Sequence, residues 1–556
     1  MITRILLLVM ALSVSAFAQA PPIEPGVSQE LAKWRAAHYS NVRYKLNLTL
    51  EKMSPVLKGT IEIRLQYAAE ACAECPPRYI VLDWRKIRGH EEKSTISNVT
   101  INGRSADTLV RMSVASTRTG TGDDQSSNEK DILAGGTGDA DKSVRAPFEE
   151  RDEHLIFSDG VEMGENVIKL DFTSPILTSG SAITRYLDKE DGSEYLYSLF
   201  VPSDASTAFP VFDQPDIKAR FELDLYLPNS EWKAISNSSG RHWIENCSGC
   251  PPNRNVFTFP ETKPVSTYVF AFAAGPFEKV EAQGGNPSSS EGVSSPASKN
   301  TLPTGRVSAS NLGGSGPGIQ PPATAGGTDI GTSIYVRKSQ AEKFKPHAAE
   351  VFRLNREAIR YFEEYFNYKF PWPKYDLVLI PEFPFGGMEH AGATFLRESS
   401  IIFPQEPTKN DHISRALLMF HEASHQWFGD TVTMRWFDDL WLKEGFATFT
   451  AYKAMEKIMP EMNSWKVFYE RVKQAAYQTD STRGTTAIYQ PIANLSAAKS
   501  AYGNIVYNKA PAFLRQAEFY LGEDKFQSAV RAFLKKHEFG NAGWEDLVKE
   551  FEGASG

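Results

Sequence analysis

Two histidines four residues apart, His421 and His425, constrain this chain more than any other feature of its sequence. Apolar neighbours predict that they lie on a helix that begins near Ile413, with Gly429 positioned to end it. On such a helix both imidazoles project from one face, one turn apart, and Glu422 lies about 100° around the axis. The pattern predicts a helix whose two imidazoles can bind the same partner, with a carboxylate beside them.

A further carboxylate, Glu444, follows His425 after eighteen intervening residues. Asp438 or Asp439 is predicted to cap a second helix that carries Glu444 across the first. Two neutral imidazoles and one carboxylate suit zinc and leave a fourth position open, which is typical of a catalytic site. The alternative is a helix with two surface histidines and a solvated glutamate, but the apolar flanks bury this helix. We therefore expect one catalytic zinc ion at His421, His425 and Glu444.

Length and charge limit the classes of protein to consider. A chain of 556 residues is too long for one hydrophobic core, so two to four domains are expected. The net charge of −8 argues against nucleic acid or an anionic membrane as the main partner.

The first eighteen residues predict a signal peptide. Arg4 precedes an apolar run from Ile5 to Phe17, and the small residues around Ala18 suit cleavage after it. A retained membrane anchor is the alternative, but the run is too short to span a bilayer comfortably, and no later segment reaches that length. We expect an exported protein, periplasmic or extracellular, without a stable membrane span.

Four cysteines occur as two similar pairs, Cys72 with Cys75 and Cys247 with Cys250. An oxidising compartment favours disulfides, whereas paired C-x-x-C units are also a common source of structural metal sites. Free thiols are the third possibility. Disulfide, metal and free thiol all stay open at this point.

The first half of the chain reads as many short strands. Period-two alternation marks Val42–Leu50 and Ala219–Leu227, and Val265–Phe272 continues the pattern. Helical periodicity is nearly absent there, which predicts an N-terminal β-sandwich domain over residues 35–280.

Two polar segments interrupt the regular patterns. Residues 117–142, rich in Gly, Asp, Ser and Thr, are expected to form a mobile insertion in the β domain. Residues 284–332 form a low-complexity Gly/Pro/Ser/Ala tract that cannot bury enough apolar surface to order itself. A flexible insertion explains this tract better than a binding motif does.

From residue 333 onward the hydrophobic period becomes helical. Residues 346–368 place apolar side chains at helical spacing, and Asp376–Ile380 reads as a buried strand. We expect an α+β domain over residues 333–556. The end of the chain lacks a helix-closing signal, which predicts that this domain is truncated.

Four motifs in this order resemble the zinc aminopeptidases of the aminopeptidase N and leukotriene hydrolase family, the gluzincins. They are a β-domain signature, a Gly-x-Met-Glu loop, the zinc-ligand motif and a tyrosine segment: Phe209–Phe221, Gly386–His390, His421–Glu444 and Ala501–Lys509. The likeness covers residues 35–550 and lacks the family's terminal helical domain. It implies a β-sandwich domain followed by a thermolysin-like catalytic domain.

The resemblance also implies roles for individual residues. Glu422 would act as the general base and Tyr507 would donate a hydrogen bond to the developing oxyanion. Tyr502 would be a second-line tyrosine or simply part of the core. Tyr507 could alternatively be a packed helix aromatic with its hydroxyl at the surface.

The Gly-x-Met-Glu loop carries the implied substrate-binding residues. Glu389 would hold the free α-ammonium of a peptide, and the backbone of Gly386 and Gly387 would run beside that peptide. Met388 and His390 complete this set. Glu389 could alternatively be only a solvated loop carboxylate.

Three departures from the family pattern bear on specificity. His390 replaces an asparagine, so we expect a reshaped amine pocket or pH sensitivity near neutrality. Leu199 and Val201 occupy the positions of two polar residues, of which the second is an amine-binding acid. Lys499 stands where leukotriene hydrolases carry an aspartate, which argues against epoxide chemistry.

The sequence therefore predicts an exported zinc aminopeptidase that removes the N-terminal residue from peptides with a free N-terminus. Two alternatives stay open. A relaxed metallopeptidase would also cut internally, because one amine-binding acid is absent at Val201. A non-catalytic binding or scaffold protein would keep the fold without turnover, although Glu422 and Tyr507 are both present.

Overall fold

The computed structural model describes residues 20–68, 77–105, 147–246, 254–282 and 330–556. The predicted signal peptide, all four cysteines, the predicted insertion at 117–142 and residues 283–329 lie outside the described residues. Within the described ranges, no helix is long and apolar enough to cross a membrane.

The first part of the chain is built from strands. One helix, α1 (Gln29–His38), precedes them. The strands, in chain order, are β1 (Tyr39–Thr49), β2 (Val56–Tyr67), β3 (Ile80–Asp83), β4 (Thr95–Ile101), β5 (Arg104–Ser105), β6 (Glu149–Arg151), β7 (His154–Phe157), β8 (Gly164–Pro175), β9 (Ile183–Leu187), β10 (Glu194–Ser198), β11 (Arg220–Leu227), β12 (Lys233–Ser236), β13 (Arg241–Glu245), β14 (Arg254–Phe259) and β15 (Phe272–Gly275).

These strands form an eight-stranded, a four-stranded and a three-stranded sheet. The orders are β13-β14-β11-β1-β2-β8-β4-β5, β12-β15-β10-β9 and β3-β7-β6. Buried residues alternate with exposed or partly buried ones along most of β1, and with partly buried ones along β11, so the large sheet keeps one face on the core. Strands β10 and β15 are buried at every position, so the four-stranded sheet is covered on both faces. The predicted β-rich first part is confirmed.

The predicted strand Val265–Phe272 is wrong. Residues 267–269 form a 3₁₀ turn, and a strand begins only at Phe272. Every side chain from Val265 to Phe272 is buried, so the segment has no solvent-facing side to alternate with. Asn237 replaces a strand neighbour, because its amide nitrogen donates to the Val269 carbonyl and its amide oxygen accepts from the backbone of Ala271.

The second part mixes a sheet with helices, as expected. Its strands are β16 (Phe277–Glu281), β17 (Ser333–Arg337), β18 (Asp376–Ile380), β19 (Gly387–Met388), β20 (Ala393–Arg397), β21 (Thr433–Met434) and β22 (Asn541–Ala542). Its helices are α2 (Ala341–Phe366), α3 (Glu398–Ile401), α4 (Lys409–His425), α5 (Trp441–Ile458), α6 (Ser464–Phe468), α7 (Gln474–Asp480), α8 (Ala510–Leu521), α9 (Glu523–Lys536) and α10 (Trp544–Ser555). A five-stranded sheet has the order β16-β17-β18-β20-β19, which places the short strand β19 at its edge.

The two helices that carry the predicted ligands begin differently from the prediction. Helix α4 begins at Lys409, four residues before Ile413, because Thr408 and Asp411 form a reciprocal capping box. Helix α5 begins at Trp441 without a side-chain cap, so neither Asp438 nor Asp439 caps it. Asp439 instead accepts hydrogen bonds from the Trp441 indole and the Trp544 backbone, and a 3₁₀ turn over 437–439 leads into the helix.

Candidate metal and catalytic site

The structure brings His421, His425 and Glu444 together. Nε2 of His421 lies 3.0 Å from Nε2 of His425, and Oε2 of Glu444 lies 3.3 Å and 3.4 Å from these two nitrogens. A tetrahedral zinc ion with bonds of about 2.0–2.1 Å separates its ligands by about 3.3 Å. The three ligand atoms therefore have the spacing that one zinc ion requires.

The outward-facing nitrogens of both imidazoles have partners that turn the other nitrogen toward the common point. Nδ1 of His425 lies 2.9 Å from the Phe428 carbonyl, so it carries the proton and leaves Nε2 with a lone pair. Nδ1 of His421 lies 3.3 Å from Oγ1 of Thr448 on α5. Burial lowers the pKa of His421, which keeps its ring neutral. Two lone pairs and a carboxylate facing each other suit a cation.

A buried lysine connects the metal-ligand cluster to the Gly-x-Met-Glu loop. Nζ of Lys443 lies 2.7 Å from Oε1 of Glu444 and forms an ion pair with Glu389. Burial alone would raise the pKa of Glu444, but Lys443 and His425 lower it well below its ordinary value. The same balance, again dominated by Lys443 against burial, lowers the pKa of Glu389. Both carboxylates are therefore ionised.

Glu422 lies beside the cluster without joining the three ligands. Its carboxyl is buried, and Oε2 has no hydrogen-bond partner among the described residues. Burial, and then the charges of Glu389 and Glu444, raise the pKa of Glu422 well above its ordinary value. A Cβ built on Gly387 would lie 2.4 Å from Oε1 of Glu422, so the loop backbone packs directly on this carboxyl. The Glu422 carboxyl is thus held between the loop and helix α4.

Tyr507 and Tyr502 both line the same cavity. Tyr507 lies on a π-helical turn over Ile505–Lys509, and its ring centre is 6.1 Å from that of His421. The Tyr502 ring centre lies 5.7 Å from Nζ of Lys443. π-Helical turns are frequent at functional sites. Tyr507 thus faces the metal-ligand cluster, and Tyr502 faces the lysine behind it.

The loop residues divide between the cavity and the protein interior. Gly386, Gly387, Met388 and Glu389 line a cavity of about 490 Å³ that also contains the metal-ligand cluster. His390 does not line it. Its ring is buried against Phe395 with ring centres 4.4 Å apart, and burial lowers its pKa to about 3.

His390 therefore stays neutral near pH 7, and the expected pH sensitivity from this residue is wrong. A pKa of about 3 leaves almost no imidazolium between pH 6 and pH 8. The pKa of His390 is low because desolvation in an apolar site destabilises the charged ring more than the neighbouring Glu389 stabilises it.

The structure also shows where the other residues that depart from the family pattern lie relative to the cavity. Val201 is buried and lines the cavity, so an apolar side chain stands where the resemblance places an acid. Leu199 is half-buried and does not line it. Nζ of Lys499 lies 2.6 Å from Asp204, and Lys499 is outside the cavity.

The site contains residues that the sequence analysis did not single out. Lys443, Thr448 and Arg471 line the cavity, and Asp430 lies behind it with a buried carboxyl whose oxygens lack hydrogen-bond partners among the described residues. Lys443 could have been noticed, because it directly precedes Glu444. Thr448 and Arg471 carry no comparable local signal.

The fold and this site define a protein with a candidate metal site on an H-E-x-x-H helix, with a third candidate ligand from the next helix. Comparison with known families agrees. Residues 90–269 match the peptidase M1 N-terminal domain, and residues 351–556 match the peptidase family M1 domain. The chain belongs to peptidase family M1.

Relatives extend this finding. The chain is 32% identical over 400 residues to an aminopeptidase N of Streptomyces lividans, a match that covers 71% of this chain and 40% of the relative. It is 29% identical over 412 residues to aminopeptidase M1-B of rice, covering 73% and 41%. A probable aminopeptidase 2 of Sulfurisphaera tokodaii is 28% identical over 415 residues, covering 75% and 46%. The chain thus spans less than half the length of these relatives.

Proposed function

We propose that this protein is an exported zinc aminopeptidase that hydrolyses the first peptide bond of substrates with a free N-terminus. One observation carries the proposal: the three metal-ligand atoms, the Glu422 carboxyl and the Glu389 carboxylate all face one cavity. Relatives named as aminopeptidases support the activity. The signal-like pattern over residues 1–18 supports export.

His421, His425 and Glu444 would hold the zinc ion. When bound, zinc supplies Lewis-acid polarisation of the scissile carbonyl and of a water molecule. Glu422 accepts a proton from that water molecule as the water oxygen attacks the carbonyl carbon. Glu422 then gives the proton to the leaving amine as the peptide C–N bond breaks.

Two other groups position the substrate. Tyr507 donates a hydrogen bond to the carbonyl oxygen as negative charge develops on it. Such a hydrogen bond typically stabilises the transition state by about 3 kcal/mol. Glu389 accepts hydrogen bonds from the α-ammonium and so fixes the first residue against the ligands. The backbone of Gly386 and Gly387 runs beside the peptide, where a side chain would obstruct it.

A relaxed metallopeptidase is the second candidate, because one observation favours it. The amine end of the cavity has Val201 in place of a carboxylate, and Glu389 already forms an ion pair with Lys443. A substrate ammonium would have to share Glu389 with this lysine. We therefore expect weaker selectivity for a free N-terminus than in a site with two carboxylates that have no ion-pair partner.

A substrate panel tests the proposal. The purified protein, supplied with zinc, is incubated with aminoacyl fluorogenic amides and with the same amides carrying an N-acetyl group, each with and without a chelator. Chelator-sensitive hydrolysis of the free-amine compounds alone supports the aminopeptidase. Cleavage of both sets supports the relaxed enzyme. Hydrolysis of neither, by protein shown to contain zinc, contradicts both and supports a non-catalytic binding protein.

A further inference from the structure

Arg471 lines the cavity that contains the metal-ligand cluster, and it has no role in the function proposed above. It lies on a π-helical turn over Tyr469–Lys473, and its guanidinium reaches helix α4. One terminal nitrogen donates to Oγ of Ser414 at 3.1 Å, and the other donates to Oδ1 of Asn410 at 3.0 Å. Two helix side chains thus hold the guanidinium in place and leave three of its five N–H groups for another partner.

The charge of Arg471 is not neutralised by its surroundings. Two cations line the cavity, Lys443 and Arg471. Lys443 is buried and paired with both Glu389 and Glu444. Arg471 is exposed to solvent and forms no ion pair with any residue in the part of the chain that the structure describes. The cavity therefore offers one uncommitted cation, and it is the planar kind that pairs with carboxylates through two parallel hydrogen bonds.

Arg471 and Glu389 lie toward opposite ends of helix α4. Carboxylate oxygens of Glu389 and Glu422 lie within 4.8 Å of a ring nitrogen of His425, at the C-terminal end of the helix. Ser414, which holds Arg471, precedes His421 by seven residues, or about 10 Å along the helix axis. If Glu389 holds the first residue of a peptide and the scissile bond lies at His421 and His425, the leaving side of that peptide would lie along the half of helix α4 that carries Ser414.

We propose that Arg471 is a specificity-determining residue that binds a carboxylate on the leaving side of the substrate, roughly two to three residues beyond the scissile bond. An extended peptide advances about 3.3–3.6 Å per residue, so about 10 Å corresponds to about three residues. This rests on the proposed function for the direction in which the peptide lies. The substrate class is tri- and tetrapeptides with a free C-terminus, or longer peptides with an acidic side chain at the same distance.

Binding measurements test this inference separately from turnover. The zinc-loaded Glu422→Gln protein is titrated calorimetrically with Leu-Ala-Ala-Ala as free acid and as C-terminal amide. A third ligand, Leu-Ala-Ala-Glu amide, carries the carboxylate on a side chain. We expect the free acid to bind about tenfold more tightly than the plain amide. We expect the third ligand also to bind more tightly than the plain amide, because its side-chain carboxylate lies at a similar distance along the peptide.

Variants of the same background assign the effect. Adding Arg471→Met abolishes the preference for a carboxylate, and Arg471→Lys restores part of it, since an ammonium keeps the charge but loses the two-point geometry. Lys473→Met is the matched control, because Lys473 is a cation on the same turn that does not line the cavity, and it leaves the preference intact.

Equal binding of acid and amide by the Arg471-containing protein overturns the inference, as does a preference that survives Arg471→Met. Neither result depends on hydrolysis. Failure of the proposed function would appear instead in the substrate panel, where free-amine amides would stay intact with zinc bound.

Discussion

The Nζ of Lys443 lies 2.7 Å from Oε1 of Glu444, whose other oxygen faces both imidazoles of the candidate zinc site. The same ammonium pairs with Glu389, which lies on the loop that faces the amine end of the cavity. All three charges are buried. One lysine therefore links Glu444, a candidate metal ligand, to Glu389, the residue proposed to bind the substrate amine, and neutralises part of the charge of both.

Replacing this lysine should destabilise the metal-free protein strongly. Lys443→Met leaves two buried carboxylates without their shared partner, which typically costs about 3–5 kcal/mol. We expect the free energy of unfolding, measured in urea after metal removal, to fall by that amount. Zinc should then stabilise the variant more than the parent, because the ion supplies the missing positive charge. Lys466→Met, at an exposed lysine, is the control, with a change within about 0.5 kcal/mol.

An equal loss of stability in the Lys443 and Lys466 variants would contradict this assignment. So would a zinc-induced stabilisation that is the same in Lys443→Met and in the parent.

Gly387→Ala should lower the rate without removing the metal. The added Cβ would lie 2.4 Å from Oε1 and 2.6 Å from the carboxyl carbon of Glu422, so the carboxyl must move. Displacement of a catalytic group by about 1 Å costs on the order of a hundredfold in rate. Gly553→Ala is the control, because Gly553 lies on helix α10, does not line the cavity, and its added Cβ would meet nothing within 4 Å. Hydrolysis rates and zinc content of both variants are compared. Similar rates for the two would argue against a critical position of Glu422.

Glu422→Gln should keep the fold and the zinc while losing most of the activity. Glutamine has nearly the same shape as glutamate, and Glu422 is not one of the three candidate ligands His421, His425 and Glu444, so the substitution should leave the metal site in place. Loss of the general base costs on the order of a hundredfold or more in kcat. The measurement pairs kcat for a free-amine amide with zinc content of the same sample. Full activity, or loss of zinc, would contradict the role given to this residue.

Asp213 should make the stability of the β-rich part depend on pH. Its Oδ2 accepts from the Ser206 backbone at 2.8 Å, whereas Oδ1 has no partner among the described residues. Burial, and then the nearby Asp83, raise the pKa of Asp213 to about 8. A raised folded-state pKa means that stability is complete below about pH 4 and is lost as pH rises toward 8, at up to about 1.4 kcal/mol per pH unit.

Asp213→Asn removes this titration. The free energy of unfolding of the variant minus that of the parent should therefore rise from pH 5 to pH 8 and level off above it. Denaturant titrations at several pH values measure the difference. A difference that stays constant over this range would show that Asp213 is ionised in the folded protein.

The sequence predicts the metal ligands well because a helix fixes their relation locally. His421 and His425 share a face by the period of the α-helix alone, and Glu444 needs only the next helix to pack across it. The contacts of Lys443 cannot be read this way, because Glu389 lies 54 residues earlier in the chain and meets the lysine only after the edge strand and helix α5 have packed.

Local patterns mislead where tertiary packing replaces them. Alternation in Val265–Phe272 predicts a strand, but the segment is buried on all sides, and the Asn237 side chain supplies two of its backbone hydrogen bonds. The start of α4 was predictable in principle, since Thr408 and Asp411 have capping-box spacing. The position of the Arg471 side chain could not be predicted, because no local sequence pattern around Arg471 indicates a contact with Ser414.

The zinc content of the dialysed protein and of its ligand variants tests whether His421, His425 and Glu444 bind the metal ion. We expect one zinc ion per chain for the parent, and essentially none for His425→Ala or Glu444→Ala, with the variants still folded by circular dichroism. Zinc retained at one per chain in both variants would contradict the claim that His421, His425 and Glu444 form the metal site.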